Sequence, residues 1–459
     1  MPPSDLATHF FLAAAAILLV CRLVSAIVAR LGQPPVVGEM IAGIVLGPSL
    51  LGVISPHLES ILFPKALLPV IYVAGQLGLV ALMFGAGRHL REHLRPGLGR
   101  SASAISLIGV AIPLAAGMLL TLAAHGHVGI FLPGVSAGVT AAFTGVTLAI
   151  TAFPMLARII VERGLSGTRF GSLALACGAI DDLVAWIMLA GVLSLAAGRL
   201  WTVSKAAGGA VLFAVVLAGI VRPALRRYLP GSGLSPSAIL LVTMTLLLAA
   251  AWFTTSIGLY AVFGAFAIGL VTPAPSQFAP AGDGSIAPAA TPAVTKISAT
   301  STSLSASAAT PAPVDQTGPA LEGISRILVP MFFTYSGLNT RFALLDSPRL
   351  LLFSAVAVAV AVAGKGGACW LGARLLGEPA PVAGRVAALM NARGLMQLIA
   401  LNVGLQAHIA GHELFTSLVL VALVTTVLAT PLLTWLDRRD QRAERRQFAA
   451  QSVPSQAGP

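Results

Sequence analysis

A long apolar run with two adjacent carboxylates near its centre constrains this chain more than any other feature. The run covers residues 171–197, and Asp181 lies ten residues from its start, followed directly by Asp182. A helix of this length crosses a bilayer and places the pair close to the midplane. Aspartate often caps a helix start, but this pair lies too deep in the run for a cap. Ionisable side chains at that depth usually mark an ion or proton pathway.

The composition predicts a membrane protein with many spans. Of the 459 residues, 57% are hydrophobic and only 10% are charged, against about 25% charged in a soluble domain. The net charge of +12 would suggest a nucleic-acid partner in a soluble protein. Here most of the basic residues fall in short loops and in the tail, so the lipid bilayer is the expected partner and nucleic acid is not. The first apolar run lacks the basic flank of a cleaved signal peptide.

Hydropathy predicts an all-α fold whose thirteen apolar spans cover residues 7–29, 36–54, 67–86, 102–124, 131–157, 171–197, 203–222, 236–256, 258–273, 321–338, 349–372, 382–406 and 414–435. With the N-terminus outside, the inside loops and tail hold Arg30, Arg88, Arg91, Arg95, Arg100, Arg158, Arg163, Arg169, Arg222, Arg226, Arg227, Arg374, Arg385, Arg438, Arg439, Arg442, Arg445 and Arg446. The outside loops hold only Lys65, Arg199, Lys205, Arg341 and Arg349. This asymmetry predicts a cytoplasmic C-terminus and a bacterial inner-membrane location. An odd number of spans agrees with two six-helix repeats of opposite orientation joined by span 7, although the two halves show no clear sequence repeat.

Two stretches depart from the apolar pattern. Residues 274–319 are rich in Pro, Ala, Ser and Thr, which predicts a disordered cytoplasmic loop. Residues 437–459 form a short basic tail. The three cysteines lie far apart in or beside apolar runs and are interpreted as buried hydrophobes.

Two spans contain residues that favour close packing or a break. Span 2 is glycine-rich and contains Gly47-Pro48, which favours close helix contact followed by an interruption. Span 5 carries four threonines ahead of Pro154. Those hydroxyls and the proline permit local unwinding with carbonyls facing a cavity, but ordinary helix packing explains them equally well.

Two basic residues lie within the last apolar spans. Lys365 is about fifteen residues into span 11, too deep to reach either interface, and therefore needs a partner. The acids at comparable depth are Asp181 and Asp182, so a Lys365–aspartate contact is predicted. Arg393 lies in the middle of span 12 beside Gly394, as expected of a second broken helix with a compensating charge.

Motifs in a fixed order carry a family resemblance, and these are Gly38-Glu39, Ala42-Gly43, Leu46-Gly47-Pro48-Ser49, Ile150-Thr151-Ala152-Phe153-Pro154-Met155-Leu156-Ala157-Arg158, Asp181-Asp182, Pro330-Met331-Phe332-Phe333, Lys365 and Asn391-Ala392-Arg393-Gly394-Leu395. With them the chain resembles the monovalent cation:proton antiporter-2 family over about residues 10–436. The similarity is greatest to the plant cation/H⁺ exchanger branch and its bacterial relatives.

The resemblance implies the sodium/proton antiporter fold and a homodimer. A gate and dimer part would comprise about residues 7–86 and 236–338, and an ion-carrying part about 102–197 and 349–435. Spans 5 and 12 would be unwound where they cross beside the aspartates. The exchanger domain would end near residue 436.

The resemblance also implies roles for individual residues. Asp182 would be the main site for the cation and the proton, and Asp181 would pair with Lys365. Thr151 would help to bind the ion, while Arg393 and Asn391 would support the crossing. Gln397 departs from the branch, which usually has an acid at that position.

Secondary antiport of K⁺ or Na⁺ against H⁺ is therefore the expected function. A cation channel or uniporter without proton coupling is the alternative. The chain shows no phosphate-binding loop, zinc signature or nucleophile motif, so no enzyme and no cofactor are predicted. The spacing of His408 and His412 resembles a metal site, but both fall in a predicted outside loop and are interpreted as solvated. The sequence does not distinguish K⁺ from Na⁺.

Overall fold

The computed structural model describes residues 2–93, 99–165, 167–198, 200–228, 235–273 and 317–451. Within those residues the chain is helical and contains no strand, which confirms the predicted all-α class. Most of the predicted loop 274–319 lies outside the described residues, as do Arg95, Arg199 and the last part of the tail.

The first half of the described chain contains α1 (Pro3–Arg30), α2 (Pro35–Leu46), α3 (Leu51–Ile54), α4 (Pro56–Leu62), α5 (Leu68–His93), α6 (Gly99–Ala123), α7 (Ala137–Ala149), α8 (Phe153–Glu162), α9 (Arg169–Ala196), α10 (Leu200–Val216) and α11 (Arg222–Tyr228). The second half contains α12 (Pro236–Ser256), α13 (Ala261–Val271), α14 (Thr317–Leu338), α15 (Pro348–Leu375), α16 (Ala380–Met390), α17 (Leu395–Gln406) and α18 (His412–Gln451).

Eleven segments of the described chain are long and apolar enough to cross a membrane. The two other predicted spans, 258–273 and 321–338, correspond to the eleven-residue α13 and to α14, which carries Glu322 and Arg326. The total of thirteen spans and the inverted repeat therefore stay predictions. Apolar helices of this length satisfy the hydrogen bonds of their own backbone within lipid, which is the requirement for a membrane-spanning segment.

Glycines allow α2 and α14 to pack closely, as predicted for span 2. A Cβ atom on Gly43 would overlap the carbonyl group of Phe333, and one on Gly337 would overlap that of Gly43. The backbones therefore touch where side chains would otherwise separate them. The helix breaks directly after this contact, because α2 ends at Leu46 and Gly47 takes an extended conformation.

Two sets of helices surround the middle of the molecule. In one set, α2 packs on α1 and α14, and α5 packs on α13 and α14. In the other, α6 packs on α7, α9 and α15, while α15 also contacts α16 and α18. The assignment of these sets to a gate part and an ion-carrying part stays a prediction.

Two element boundaries differ from the sequence prediction. Helix α14 begins at Thr317, inside the stretch predicted to be a loop, and α18 continues past residue 436 to Gln451. Arg385 holds this extension through Asp437, with 3.1 Å between Nε and Oδ1, and through Asp440, with 2.8 Å between Nη1 and Oδ2. The first part of the predicted tail is thus a continuation of the last helix.

Candidate ion-binding site

Two helices break in the middle of the molecule, and the breaks touch. The first break lies between Ala149, the last residue of α7, and Phe153, the first of α8. The second lies between α16 and α17, where Gly394 has φ 99° and ψ −109°. The backbone N–H of Ala152 donates to the carbonyl oxygen of Ala392 at 3.1 Å. One hydrogen bond therefore joins two unwound segments that are distant in sequence.

Lys365 and Asp181 form a buried ion pair beside the first break. The Lys365 Nζ atom lies 2.5 Å from Asp181 Oδ2, and both side chains are fully buried. Lys365 also donates to the carbonyl oxygen of Ala149 at 2.8 Å. Because α7 stops there, that carbonyl belongs to the negative end of a half-helix, which suits a cation. The predicted contact between Lys365 and the aspartate pair is present.

Two hydroxyl groups complete the environment of Asp181. Thr151 Oγ1 donates to Asp181 Oδ2 at 2.9 Å and also lies 3.2 Å from the carbonyl oxygen of Met390. Ser106, on α6, donates to Asp181 Oδ1. Ser106 was not among the predicted site residues, because a lone serine in an apolar span has no distinguishing signal. Asp181 is therefore held by three donors from three elements.

Asp182 has the opposite environment. Its side chain is 1% exposed, yet neither carboxylate oxygen has a hydrogen-bond partner among the described residues. The indole N–H of Trp186, one turn further along α9, lies close to the carboxylate without reaching hydrogen-bond geometry. An ionised carboxylate without partners is highly unfavourable in such a place. This site is therefore favourable for a bound proton or cation.

Arg393 and Asn391 lie in the second break. Arg393 is fully buried and donates from Nη2 to the carbonyl oxygen of Ala361 at 2.9 Å. Its Nε and Nη1 atoms have no partner among the described residues. Asn391 packs tightly against Gly366, since a Cβ atom on that glycine would overlap the Asn391 amide nitrogen. The Asn391 Oδ1 atom has no partner among the described residues. Both residues are thus next to the Lys365 helix.

Gln397 and His412 contact backbone carbonyls outside the two breaks. Gln397 is fully buried and donates from Nε2 to the carbonyl oxygen of Leu418 at 3.4 Å. His412 Nδ1 lies 3.2 Å from the carbonyl oxygen of Asn339. Within the part of the chain that the structure describes, no three His, Cys, Asp or Glu side chains form a metal-ion site.

Comparison with known proteins places this geometry in a family. The family model for the transmembrane sodium/hydrogen exchanger matches residues 15–438. The chain belongs to the sodium/hydrogen exchanger family. Members of this family are transporters, and the predicted resemblance is confirmed.

Curated relatives of this exchanger are cation/proton antiporters. The Na⁺/H⁺ antiporter NhaS4 of Synechocystis is 34% identical over 424 residues, covering 90% of this chain and 93% of the relative. Cation/H⁺ antiporter 18 of Arabidopsis thaliana is 30% identical and K⁺/H⁺ antiporter 1 of Saccharomyces cerevisiae is 29% identical. Those two alignments cover 94% and 93% of this chain but only 49% and 46% of the relatives.

A solved structure shares the fold. The sodium proton antiporter MjNhaP1 of Methanocaldococcus jannaschii matches with a TM-score of 0.57 at 14% identity, covering 94% of this chain and 97% of that chain. This likeness shows the fold, while the family match and the eleven long apolar segments of the described chain make this an integral membrane protein.

Proposed function

We propose that this protein exchanges a monovalent cation, K⁺ or Na⁺, for protons by alternating access, with Asp182 as the shared site. The observation that carries the proposal is the fully buried Asp182 carboxylate with both oxygens unpartnered among the described residues. A proton on that carboxylate removes the charge that would hold a cation. Occupation by one therefore excludes the other, and this competition couples the two fluxes.

The Asp181–Lys365 pair positions the site. Three donors hold Asp181, so its oxygens are already committed and the second carboxylate is the one left for the ion. Thr151 bridges the pair to the break in α7, where an oxygen lone pair of its hydroxyl could also face a cation at Asp182. Monovalent cations favour such hydroxyl, carbonyl and carboxylate oxygens.

Movement is assigned to the ion-carrying part, residues 102–197 and 349–435. The hydrogen bond between Ala152 and Ala392 joins the two breaks, so both half-helix pairs would move together past the gate part, 7–86 and 236–338. Arg393 and Asn391 support the crossing from the second break. By resemblance the protein works as a homodimer, with its N-terminus outside and its C-terminus in the bacterial cytoplasm. Light scattering in detergent would measure the oligomeric state.

The test is cation-driven proton movement in proteoliposomes that contain a pH-sensitive dye. A pH gradient is imposed, and K⁺, Na⁺ or Li⁺ is added in turn. We expect at least one ion to dissipate the gradient, and Asp182→Asn to abolish that response, because a neutral amide cannot exchange a proton for a cation.

The matched control is Asp346→Asn, which alters an exposed acid outside the site and should leave exchange unchanged. A response that survives Asp182→Asn would contradict the proposal. Cation flux without proton movement would instead favour the channel or uniporter alternative.

A further inference from the structure

Three of the chain's four tyrosines gather at one end of the site. Tyr72 of α5 and Tyr335 of α14 have ring centroids 5.0 Å apart. Tyr72 also donates from its hydroxyl to Gln406 Oε1, on α17, at 3.4 Å. Tyr260, directly before α13, lies near enough to Tyr72 to interact electrostatically. The three rings are only partly buried, so they border a space rather than fill a core.

A cleft opens beside this tyrosine cluster. It is narrow, with a volume of about 10 Å³, and lies between α9 and the connection from α12 to α13. Its lining includes Trp186, Leu189, Leu193, Tyr260 and Phe263. Trp186 and Tyr260 lie across the cleft from each other, with ring centroids 6.1 Å apart and an interplanar angle of 30°.

Trp186 connects the lining of the cleft to the ion site. Trp186 is 7% exposed, and its indole lies beside the Asp182 carboxylate one helical turn away. The end of the cleft away from Asp182 lies where α9 and α17 finish and where α5 and α13 begin. This is the arginine-poor side, whose predicted loops hold only Lys65, Arg199, Lys205, Arg341 and Arg349.

We propose that Trp186 and Tyr260 form an aromatic gate over Asp182, and that Tyr72 and Tyr335 recognise the cation entering from the arginine-poor side. The proposal rests on the proposed function, since it gives the transported cation a path. Aromatic faces attract cations. The phenolic oxygens of the three tyrosines and the amide oxygen of Gln406 can replace part of a cation's hydration shell. A cation would thus shed water in steps before it reaches the carboxylate.

The first test is the side dependence of cation affinity. In right-side-out membrane vesicles we expect Tyr260→Ala to raise the KM for the cation about 2- to 30-fold, the range of one cation–π contact. In everted vesicles the KM should stay unchanged. Tyr260→Phe retains the ring and should give a smaller rise, which measures the contribution of the hydroxyl.

Trp252→Ala is the matched control, because it removes an aromatic ring that is 71% exposed on α12, away from the cleft. It should leave the KM unchanged from both sides. An equal rise in both vesicle orientations for Tyr260→Ala, or no rise at all, would overturn the gate.

The second test does not depend on transport. Ala190→Cys places a thiol in the cleft lining, whereas Ala197→Cys places one at the exposed end of α9. The three native cysteines are buried, so the parent chain serves as the blank. A membrane-impermeant cationic thiol reagent added from the arginine-poor side should label both variants, and added K⁺ or Na⁺ should slow labelling at position 190 alone.

These outcomes separate the two proposals. If the parent exchanges no cation for protons in either vesicle orientation, the proposed function fails, whatever the labelling shows. If the parent exchanges ions but position 190 stays unlabelled while position 197 reacts, the cleft is closed to solvent and the gate proposal fails alone.

Discussion

At the scale of single residues, two neighbouring aspartates differ because successive side chains on a helix point about 100° apart. Asp181 faces α6, the first break and Lys365, and it receives three donors. Asp182 faces away from those donors and receives none among the described residues. Orientation alone thus gives one carboxylate three donors and leaves its neighbour without any among the described residues, as the proposed ion site requires.

Removing the charge of Lys365 should test the structural half of this arrangement. Lys365→Met leaves Asp181 buried without its counter-charge, so we expect the free energy of unfolding to fall by about 3–5 kcal/mol. The double variant Lys365→Met/Asp181→Asn removes both charges and should recover most of that loss. Thermal unfolding of the detergent-solubilised protein measures both effects.

The control for that series is Lys205→Met. Because Lys205 is exposed, this substitution should change the free energy of unfolding by no more than about 0.5 kcal/mol. A double variant as unstable as the sum of the two single variants would show that Lys365 and Asp181 are not coupled.

At the scale of elements, the second break depends on one glycine. Gly394 has φ 99°, where residues with a Cβ are strained, and a Cβ atom there would lie 3.3 Å from both Met40 Sδ and Thr426 Oγ1. We expect Gly394→Ala to reduce the free energy of unfolding by about 1–3 kcal/mol and to slow exchange, because α17 would no longer start at the required angle.

A nearby glycine provides the comparison. Gly367 lies within α15, and a Cβ atom there would meet nothing within 4 Å. Gly367→Ala should therefore leave exchange unchanged and stabilise the protein by up to about 1 kcal/mol. Equal effects of the two substitutions on unfolding and on exchange would show that the backbone at the break is not special.

At the scale of the whole molecule, the four most deeply buried charges among the described residues sum to zero. Asp181, Asp182, Lys365 and Arg393 are all at most 1% exposed, and when ionised they carry two negative and two positive charges. A bound cation would add one positive charge. A cation that also engages Asp181 would displace Lys365 from it, and a buried ammonium without its counter-charge loses its proton readily. The proton-loaded form would then carry one charge more than the cation-loaded form.

This sum predicts that exchange moves net charge. Two protons, one from Asp182 and one from Lys365, would cross for each cation, and a potential of 100 mV would contribute about 2.3 kcal/mol per cycle. Currents on a solid-supported membrane after a jump in cation concentration measure the charge directly. The Lys365→Met/Asp181→Asn variant should exchange ions without current; an unchanged current per proton in that variant would contradict the assignment.

The sequence predicts some of these features because they have a single physical solution. A lysine far from both interfaces needs an acid at its own depth, and only one pair of acids was available, so the Lys365 contact could be foreseen. Depth alone does not say which aspartate Lys365 pairs with, because the rotation of α9 depends on its packing with α6 and α16; the choice of Asp181 came from the family resemblance. The contact between Ser106 and Asp181 could not be predicted either, since a serine in a membrane helix can as readily hydrogen-bond to its own backbone.

Helix ends were less predictable for a related reason. Hydropathy marks the part of a helix that lies in lipid, whereas the helix itself continues as far as its side chains find partners. Helix α18 extends beyond the apolar run because Asp437 and Asp440 meet Arg385 from α16. A pairing between residues more than fifty positions apart leaves no periodic signal in the extension itself.

The bare carboxylate of Asp182 also bears on how much of an ion gradient is retained. Once both the proton and the cation have left, the ionised Asp182 carboxylate would have to travel through the closed interior without a hydrogen bond from any described residue. That passage is strongly unfavourable, so the vacant carrier should rarely cross. Slippage, the return of an empty carrier that dissipates one gradient without building the other, would then be suppressed by electrostatics alone. Tight coupling of cation and proton fluxes would then need no additional conformational lock.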